Sequence, residues 1–435
     1  MSRSLQPAGP PVKLEKPVYG GACLARVEGR AVFVPLTLPG EEARIRIVQS
    51  KSAFAEAEAE EILQTAKGRV EPHCPHFGSC GGCAYQHADY PTQLAMKQSI
   101  LRETLERAGV EPPLQIDALS AEPWGYRNRI RLAVDSAGQL GYRGRRSHTI
   151  TPISECPIAA PLLVESALAF ADVAKKAPPA LKPTEVALFT NDAQNQLLLT
   201  VLTTSARKHH FEELSAALKE KIPALIGAEL AVEDRKGGWP NTVARWGDGS
   251  LHYRVAEFDY RVDHGAFFQV NRWLLEPMVE RVLQNAGGGL AWDLYAGVGL
   301  FARQLTHSYE RVVAVESAPT STQALAANLK GTRSAPVRAT TLDFLRKNTP
   351  SVSEKFQRPD RIVVDPPRAG LGAEVCTLLA EIAAPSLVYV SCDPATLARD
   401  LRMLMDAGYS ITSFALADLF PQTHHMESIV HLQHG

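Results

Sequence analysis

The sequence contains no apolar run of about 18 residues or more, so nothing in it reads as a membrane-spanning helix. Its opening stretch, MSRSLQPAGPPVKLEKP, is polar and proline-rich and lacks the apolar core of a secretory signal, so a cytoplasmic protein is expected. Excess charge is missing too. With 46 basic and 47 acidic residues the net charge is −1, which excludes a chain that binds nucleic acid through its overall field and leaves only local basic patches for that role. There is no internal repeat and no low-complexity tract, which excludes solenoids and disordered linkers as the main architecture. Cysteine is scarce, with seven in all. Because disulfides are rare in the cytosol, those that cluster point to metal binding or catalysis.

What is present suggests a globular enzyme of several parts. At about 100–200 residues per domain, 435 residues make two or three domains, and 45% hydrophobic with 21% charged residues is ordinary for a soluble fold. Residues 1–12 read as a mobile tail. From Val18 to Lys67 strand-like runs such as Ala31–Pro35 and Ala43–Gln49 are punctuated by Gly20-Gly21 and Pro39-Gly40, a pattern that resembles the TRAM domain, a small OB-like barrel. A helix is expected over Asp89–Ala108. The stretch Tyr126–Arg146 holds six arginines (127, 129, 131, 143, 145 and 146) against one acid, Asp135. Arg127, Arg129 and Arg131 fall on one face of a strand, with tyrosines interleaved that could stack on bases. Strands are expected at Val186–Thr190 and Leu197–Thr203, with a helix around Phe211–Lys221. Beyond Gly265, short apolar runs at Leu290–Tyr295, Arg311–Glu316, Arg361–Asp365 and Leu387–Ser391 alternate with helical patterns, the rhythm of a doubly wound parallel sheet.

Three groups of residues carry chemistry. The first is Trp292-Asp293-Leu294-Tyr295-Ala296-Gly297-Val298-Gly299, a strand ending in a glycine turn. It is followed 19 residues after Gly297 by Glu316 at the end of the next strand, where a carboxylate can hold ribose hydroxyls. A third glycine is missing, which favours S-adenosylmethionine over a dinucleotide. Asp343 is a candidate partner for the adenine, or simply a helix cap. The second group is Cys74-x5-Cys80-x2-Cys83 in a loop rich in glycine and proline, with Cys156 further on. Soft thiolates select an iron–sulfur cluster or zinc, a [4Fe–4S] cluster being favoured and zinc the alternative. The third is a set of strand-end motifs, Asp365-Pro366-Pro367-Arg368, Ser391-Cys392-Asp393-Pro394 and Phe420-Pro421-Gln422-Thr423-His424-His425-Met426-Glu427. A thiol that adds to C6 of a uracil makes C5 nucleophilic, and a carboxylate must then remove the C5 proton. Cys392 and Glu427 supply that pair.

These motifs, with His264-Gly265-Ala266-Phe267-Phe268-Gln269-Val270-Asn271 and Tyr126-Arg127-Asn128-Arg129, resemble the RNA uracil-5-methyltransferases of the RumA and TrmA type. The cysteine spacing resembles the RumA branch, whose members act on 23S ribosomal RNA. The resemblance covers nearly the whole chain. It implies an N-terminal OB-like β-barrel over 10–68 and a central α/β RNA-binding domain over 69–262 that carries the cluster loop. It also implies a helix at 89–110 packed on the catalytic domain and a Rossmann-like class I methyltransferase domain over 263–435. Cys392 is then the nucleophile and Glu427 the proton acceptor. Gln269, Tyr295, Gly297, Glu316, Asp343 and Asp365 lie where the family contacts S-adenosylmethionine or the target base, and Cys74, Cys80, Cys83 and Cys156 lie where it holds the cluster. A monomer is expected. Leu300 stands where the family has an asparagine, which removes one cofactor hydrogen bond. Asp393 also replaces an asparagine, and its side chain is expected to point away from the thiol. The rival expectations are transfer RNA as substrate, a DNA or small-molecule pyrimidine methyltransferase, and a noncatalytic RNA-binding or assembly protein.

Overall fold

The computed structural model describes residues 11–176, 181–204, 208–232, 241–354 and 356–435. Two compact units emerge, neither continuous in sequence. One comprises the residues up to Thr104, with Arg143–Thr151 and Phe420–His425. The other comprises Leu105–Tyr142, Pro152–Leu419 and Met426–Gly435. Among the described residues no helix is long and apolar enough to cross a membrane.

The first unit begins with a curled six-stranded sheet in the order Pro11–Lys13, Glu42–Ser50, Phe54–Gln64, Arg30–Pro35, Ala22–Val27, Lys16–Val18. Alternation puts Val32, Val34, Ala43, Ile45, Ala55 and Ala57 inside, a narrow core filled by small and β-branched side chains. Part of the expected N-terminal tail is ordered, because Pro11–Lys13 pairs antiparallel with Glu42–Arg44 and buries Val12. Residues 1–10 lie outside the described residues. The helix Tyr90–Arg107 lies close to the expected bounds.

In the second unit a sheet runs in the order Leu140–Arg143, Arg129–Val134, Pro183–Thr190, Leu197–Thr203, Leu225–Val232, Asn241–Gly247. The helices Pro161–Lys176 and Lys208–Lys221 bring Leu163, Phe170, Phe211 and Leu218 into the same core as Val186, Leu188, Leu199 and Val201. The C-terminal part of this unit is built on a sheet in the order Ser334–Arg338, Tyr309–Glu316, Gly288–Leu294, Arg361–Val364, Ser386–Ser391, Glu427–His434, Tyr409–Ala417, with Asp117–Leu119 on the far edge. Its central strands are apolar without alternation. Ile362, Val363, Val364 and Leu387–Val390 are all fully buried, as in a sheet covered on both faces. Strand order reverses between Gly288–Leu294 and Arg361–Val364, a switch point of the kind at whose carboxyl edge such folds bind ligands. One strand, Glu427–His434, runs antiparallel to both of its neighbours. It therefore starts at the edge where the parallel strands end, with Ser428 opposite Ser391 and Glu427 opposite Ala417.

Candidate active site

The glycine turn lies at that edge. Tyr295, Gly297 and Gly299 all have positive φ, at 65°, 57° and 91°. Gly299 is needed for space as well as conformation, since a Cβ there would stand 2.7 Å from Leu325 Cδ1. The buried Asp293 accepts the amide of Ala302 at 2.7 Å, which fixes the helix that follows, and burial drives its carboxyl well above the usual range. Glu316 braces the turn from the next strand. Its Oε2 accepts Gly297 N–H at 2.8 Å, and its Oε1 accepts Ser317 and Ala318 N–H at 2.7 Å each. Each carboxylate oxygen has two lone pairs, so Oε2 can still accept a ribose hydroxyl. Leu300 is buried apolar packing, and its carbonyl accepts the Tyr260 hydroxyl at 3.0 Å.

Asp365, Cys392 and Glu427 act on one another electrostatically. Burial pushes the Cys392 thiol up to about 12, with Glu427 and Asp365 adding to the rise and Arg368 opposing it. Burial raises Glu427 well above the ordinary carboxylate range, Asp365 adds to that, and Arg368 again opposes. Asp365 rises to about 7 through burial, although Gln269 Nε2 donates to its Oδ2 at 3.2 Å. Glu427 is 3% exposed, and among the described residues its Oε1 has no hydrogen-bond partner. An orphaned buried carboxyl oxygen beside a half-buried thiol is costly unless a ligand completes the site.

Two anchors set this geometry. Gln269 is held through its own backbone, because buried Asn128 donates to its carbonyl at 2.9 Å and receives no slack from Val270, whose carbonyl takes Asn128 N–H. The segment preceding Glu427 is held within the first unit. Gln422 N–H donates to Gln93 Oε1, Gln93 Nε2 donates to Gln422 Oε1, and the buried Lys97 ammonium donates to Phe420 O at 3.0 Å.

Two aspartates act at helix N-termini, one of them the expected ligand Asp343. Asp343 sits in the first turn of a helix capped by Thr340, its N–H donating to Thr340 Oγ1 at 3.1 Å and its Oδ2 accepting the Thr340 hydroxyl at 2.7 Å. Asp393 points away from the thiol as expected, capping the next helix by accepting Ala395 and Thr396 N–H at 3.0 Å each. Arg368 was legible only as part of a motif, yet it is the cation that acts on both Cys392 and Glu427.

Along Arg129–Val134 the arginines alternate with buried Ile130 and Leu132, as expected, and several arginines of the stretch meet acids or an aromatic ring. Arg129 lies over the Phe189 ring at 4.2 Å and donates to Ala266 O at 2.8 Å. Arg131 pairs with Glu185, Arg146 with Glu56 at 2.6 Å, and Arg145 with Glu58 at 3.9 Å. Alternation shows which residues share a face; it says nothing of the acids that meet them.

Cys74, Cys80, Cys83 and Cys156 are all partly buried. Gly82 N–H points at Cys80 Sγ at 3.3 Å, and the Tyr142 hydroxyl lies 3.8 Å from Cys156 Sγ, contacts suited to thiolates. Among the described residues, however, no group of three or more His, Cys, Asp or Glu side chains is arranged to hold a metal ion, so donor chemistry alone carries the expected cluster.

Residues 244–435 match the family model described as tRNA (Uracil-5-)-methyltransferase, and residues 11–59 match the TRAM domain. A 23S rRNA (uracil(1939)-C(5))-methyltransferase RlmD of Azoarcus is 33% identical, over 97% of this chain and 98% of its own. Its counterpart from Halomonas elongata is 32% identical, over 96% and 88%. The crystal structure of Pyrococcus abyssi tRNA (uracil-54, C5)-methyltransferase in complex with S-adenosyl-L-homocysteine superposes with a TM-score of 0.78 at 23% identity, over 97% and 99% of the two chains.

Proposed function

This chain belongs to the tRNA (uracil-5-)-methyltransferase family, and from that membership we propose that it methylates C5 of a specific uracil in 23S ribosomal RNA through a covalent bond between Cys392 and C6. The observation that carries the proposal is the single antiparallel strand, which delivers buried Glu427 to the edge where Cys392 leaves its parallel strand. The ribosomal substrate is favoured by the RlmD names of relatives that match along nearly their whole length.

S-adenosylmethionine, when bound, supplies an electrophilic methyl group. Gln269, Tyr295, Gly297, Glu316, Asp343 and Asp365 are the residues proposed to hold it or the target base. Cys392, partly exposed, loses its proton to solvent; the thiolate adds to C6, and the electron pair of the C5–C6 double bond takes the methyl at C5, releasing the sulfonium as a neutral thioether. The carboxylate of Glu427 then takes the C5 proton. The electrons of that C–H bond restore the double bond, and the Cys392 thiolate leaves. Burial of Glu427 raises its proton affinity, which suits an acceptor of a carbon-bound proton. To reach a half-buried thiol the base must leave its stack, so the RNA binds with the uracil flipped. One chain supplies every residue used, so a monomer suffices. Cys74, Cys80, Cys83 and Cys156 would hold a [4Fe–4S] cluster, or zinc in its place, which would supply a rigid cross-link; no step of methyl transfer runs through it.

The test is methyl transfer from tritiated cofactor to unmodified RNA, with 23S transcripts and transfer RNA offered in parallel. Cys392→Ala should abolish transfer and keep cofactor binding. Glu427→Gln should accumulate a methylated RNA–protein adduct. Label appearing only in transfer RNA would move the substrate assignment, and activity retained in Cys392→Ala would refute the covalent route.

A further inference from the structure

We infer that Asp400 is a positioning residue that fastens the segment after Asp365 to the helix behind Cys392, and so sets where Arg368 and Asp365 stand relative to the thiol. The inference rests on the reading of Cys392 as nucleophile and adds to it a residue that touches no reacting atom.

Asp400 is completely buried, on the helix Pro394–Asp406. Four donors fill its carboxylate. Oδ2 accepts Leu371 N–H and the Tyr389 hydroxyl, both at 2.7 Å, while Oδ1 accepts Arg399 Nε at 2.9 Å and Nη2 at 2.8 Å. Arg399 Nη2 also donates to Ala369 O at 2.9 Å, and the Thr396 hydroxyl donates to Arg368 O at 3.2 Å. Between these contacts lies Gly370, with φ +74°, where a Cβ would stand 2.5 Å from Asp400 Oδ2. The backbone from Arg368 to Leu371 is therefore pinned by residues 396, 399 and 400, which share one face of the helix at spacings of three and four.

The same helix begins two residues after Cys392 and is capped by Asp393. Arg368 and Cys392 thus take their positions from one element, and Asp365 stands three residues before the pinned segment. Tyr389 extends the link to the strand that ends at the nucleophile. A buried carboxylate is a poor means of gaining stability, because its desolvation offsets most of its attractions; what such a group can add is a defined geometry. Here that geometry concerns Arg368, a cation that acts on both the thiol and the base. Displacements of a fraction of an ångström matter at this range, and misplacing a catalytic group by about 1 Å can lower a rate about 100-fold.

The full-length protein with Arg399→Gln, Arg399→Lys and Asp400→Asn provides the test. We would measure kcat and KM on RNA, the melting temperature, and the rate at which iodoacetamide alkylates Cys392 across pH. Arg399 is half exposed and glutamine can still reach Asp400 with one donor, so Arg399→Gln should stay folded at the assay temperature and keep its KM, while kcat drops about 10-fold or more. Its Cys392 should alkylate more slowly at a given pH, because Arg368 stands less close. Arg399→Lys should recover part of both losses, and Asp400→Asn should exceed them. A merely structural role would lower the melting temperature and leave the alkylation profile of the folded protein in place; that result, or an unchanged kcat in Arg399→Gln, overturns the inference. If Asp400→Asn does not fold, the Arg399 variants decide alone. If the wild type methylates no RNA, the functional proposal fails, while the alkylation profiles still decide the role of Asp400.

Discussion

Replacing Glu427 by glutamine should make Cys392 more acidic at the same time as it stops turnover. In the protein the thiol is pushed up to about 12, first by burial and then by the Glu427 carboxylate. A unit charge about 5 Å away in a medium of effective dielectric about 20 contributes about 3 kcal/mol, or about two pKa units. Glu427 itself ionises late, so its charge opposes the thiolate only on the alkaline side, where the thiol titrates. Glutamine keeps the shape and removes that charge. The Cys392 profile should therefore move down by about one to two pKa units, and alkylation near pH 9 should speed up by about 10- to 100-fold. The assay is iodoacetamide labelling between pH 7 and 11, with the peptide that carries Cys392 quantified by mass spectrometry. Cys376 serves as an internal reference, since burial and Asp400, not Glu427, push it to about 12. A profile that stays in place, or moves up, would mean that Glu427 does not face the thiol, and the proposed proton transfer would fall with it.

Other consequences can be measured directly. Gly299→Ala forces a Cβ to within 2.7 Å of Leu325 Cδ1 at a positive φ, so cofactor affinity by calorimetry should drop while the fold persists. Asp393→Ala removes a helix cap and should lower unfolding free energy by about 1 kcal/mol in a denaturant titration. Burial lowers His87 and His431 to about 4, below the ordinary 6.5. The unfolded chain therefore binds more protons between those values, and stability present above pH 6.5 should be lost as pH falls toward 4, which melting curves at successive pH would show. Protein purified without air should be brown and contain iron and sulfide, with Cys80→Ser colourless; a colourless wild type that contains zinc would replace the cluster with the other metal.

Much of the catalytic half was legible in the sequence because its physics is local. Strands such as Arg361–Val364 and Ser386–Ser391 are short, apolar in their interiors and followed by proline-containing turns, so their limits show without any partner. Cys392 and Glu427 stood out because the proposed chemistry demands a thiol and a carboxylate, and each lies next to or at the end of a strand. Contacts distant in sequence were not legible. Pro11–Lys13 is too short to show periodicity and is a strand only because Glu42–Arg44 lies beside it. The arginines of residues 127–146 share a pattern, but Glu56, Glu58 and Glu185 decide what they do. Asp400 reads as one more charged residue of an amphipathic helix until Leu371 and Tyr389 are seen to converge on it.

The order of strands in the catalytic sheet bears on how the enzyme is made. The strand that opens with Glu427 slots between two strands synthesised earlier, Ser386–Ser391 and Tyr409–Ala417. A nascent chain that has emerged only as far as Ala417 would already have its glycine turn and its thiol, but the gap between those two strands would be open and no proton acceptor would be in place. Insertion of that strand closes the gap and brings Glu427 to the edge in one event, so a chain stopped at Ala417 would lack the base that the proposed reaction uses.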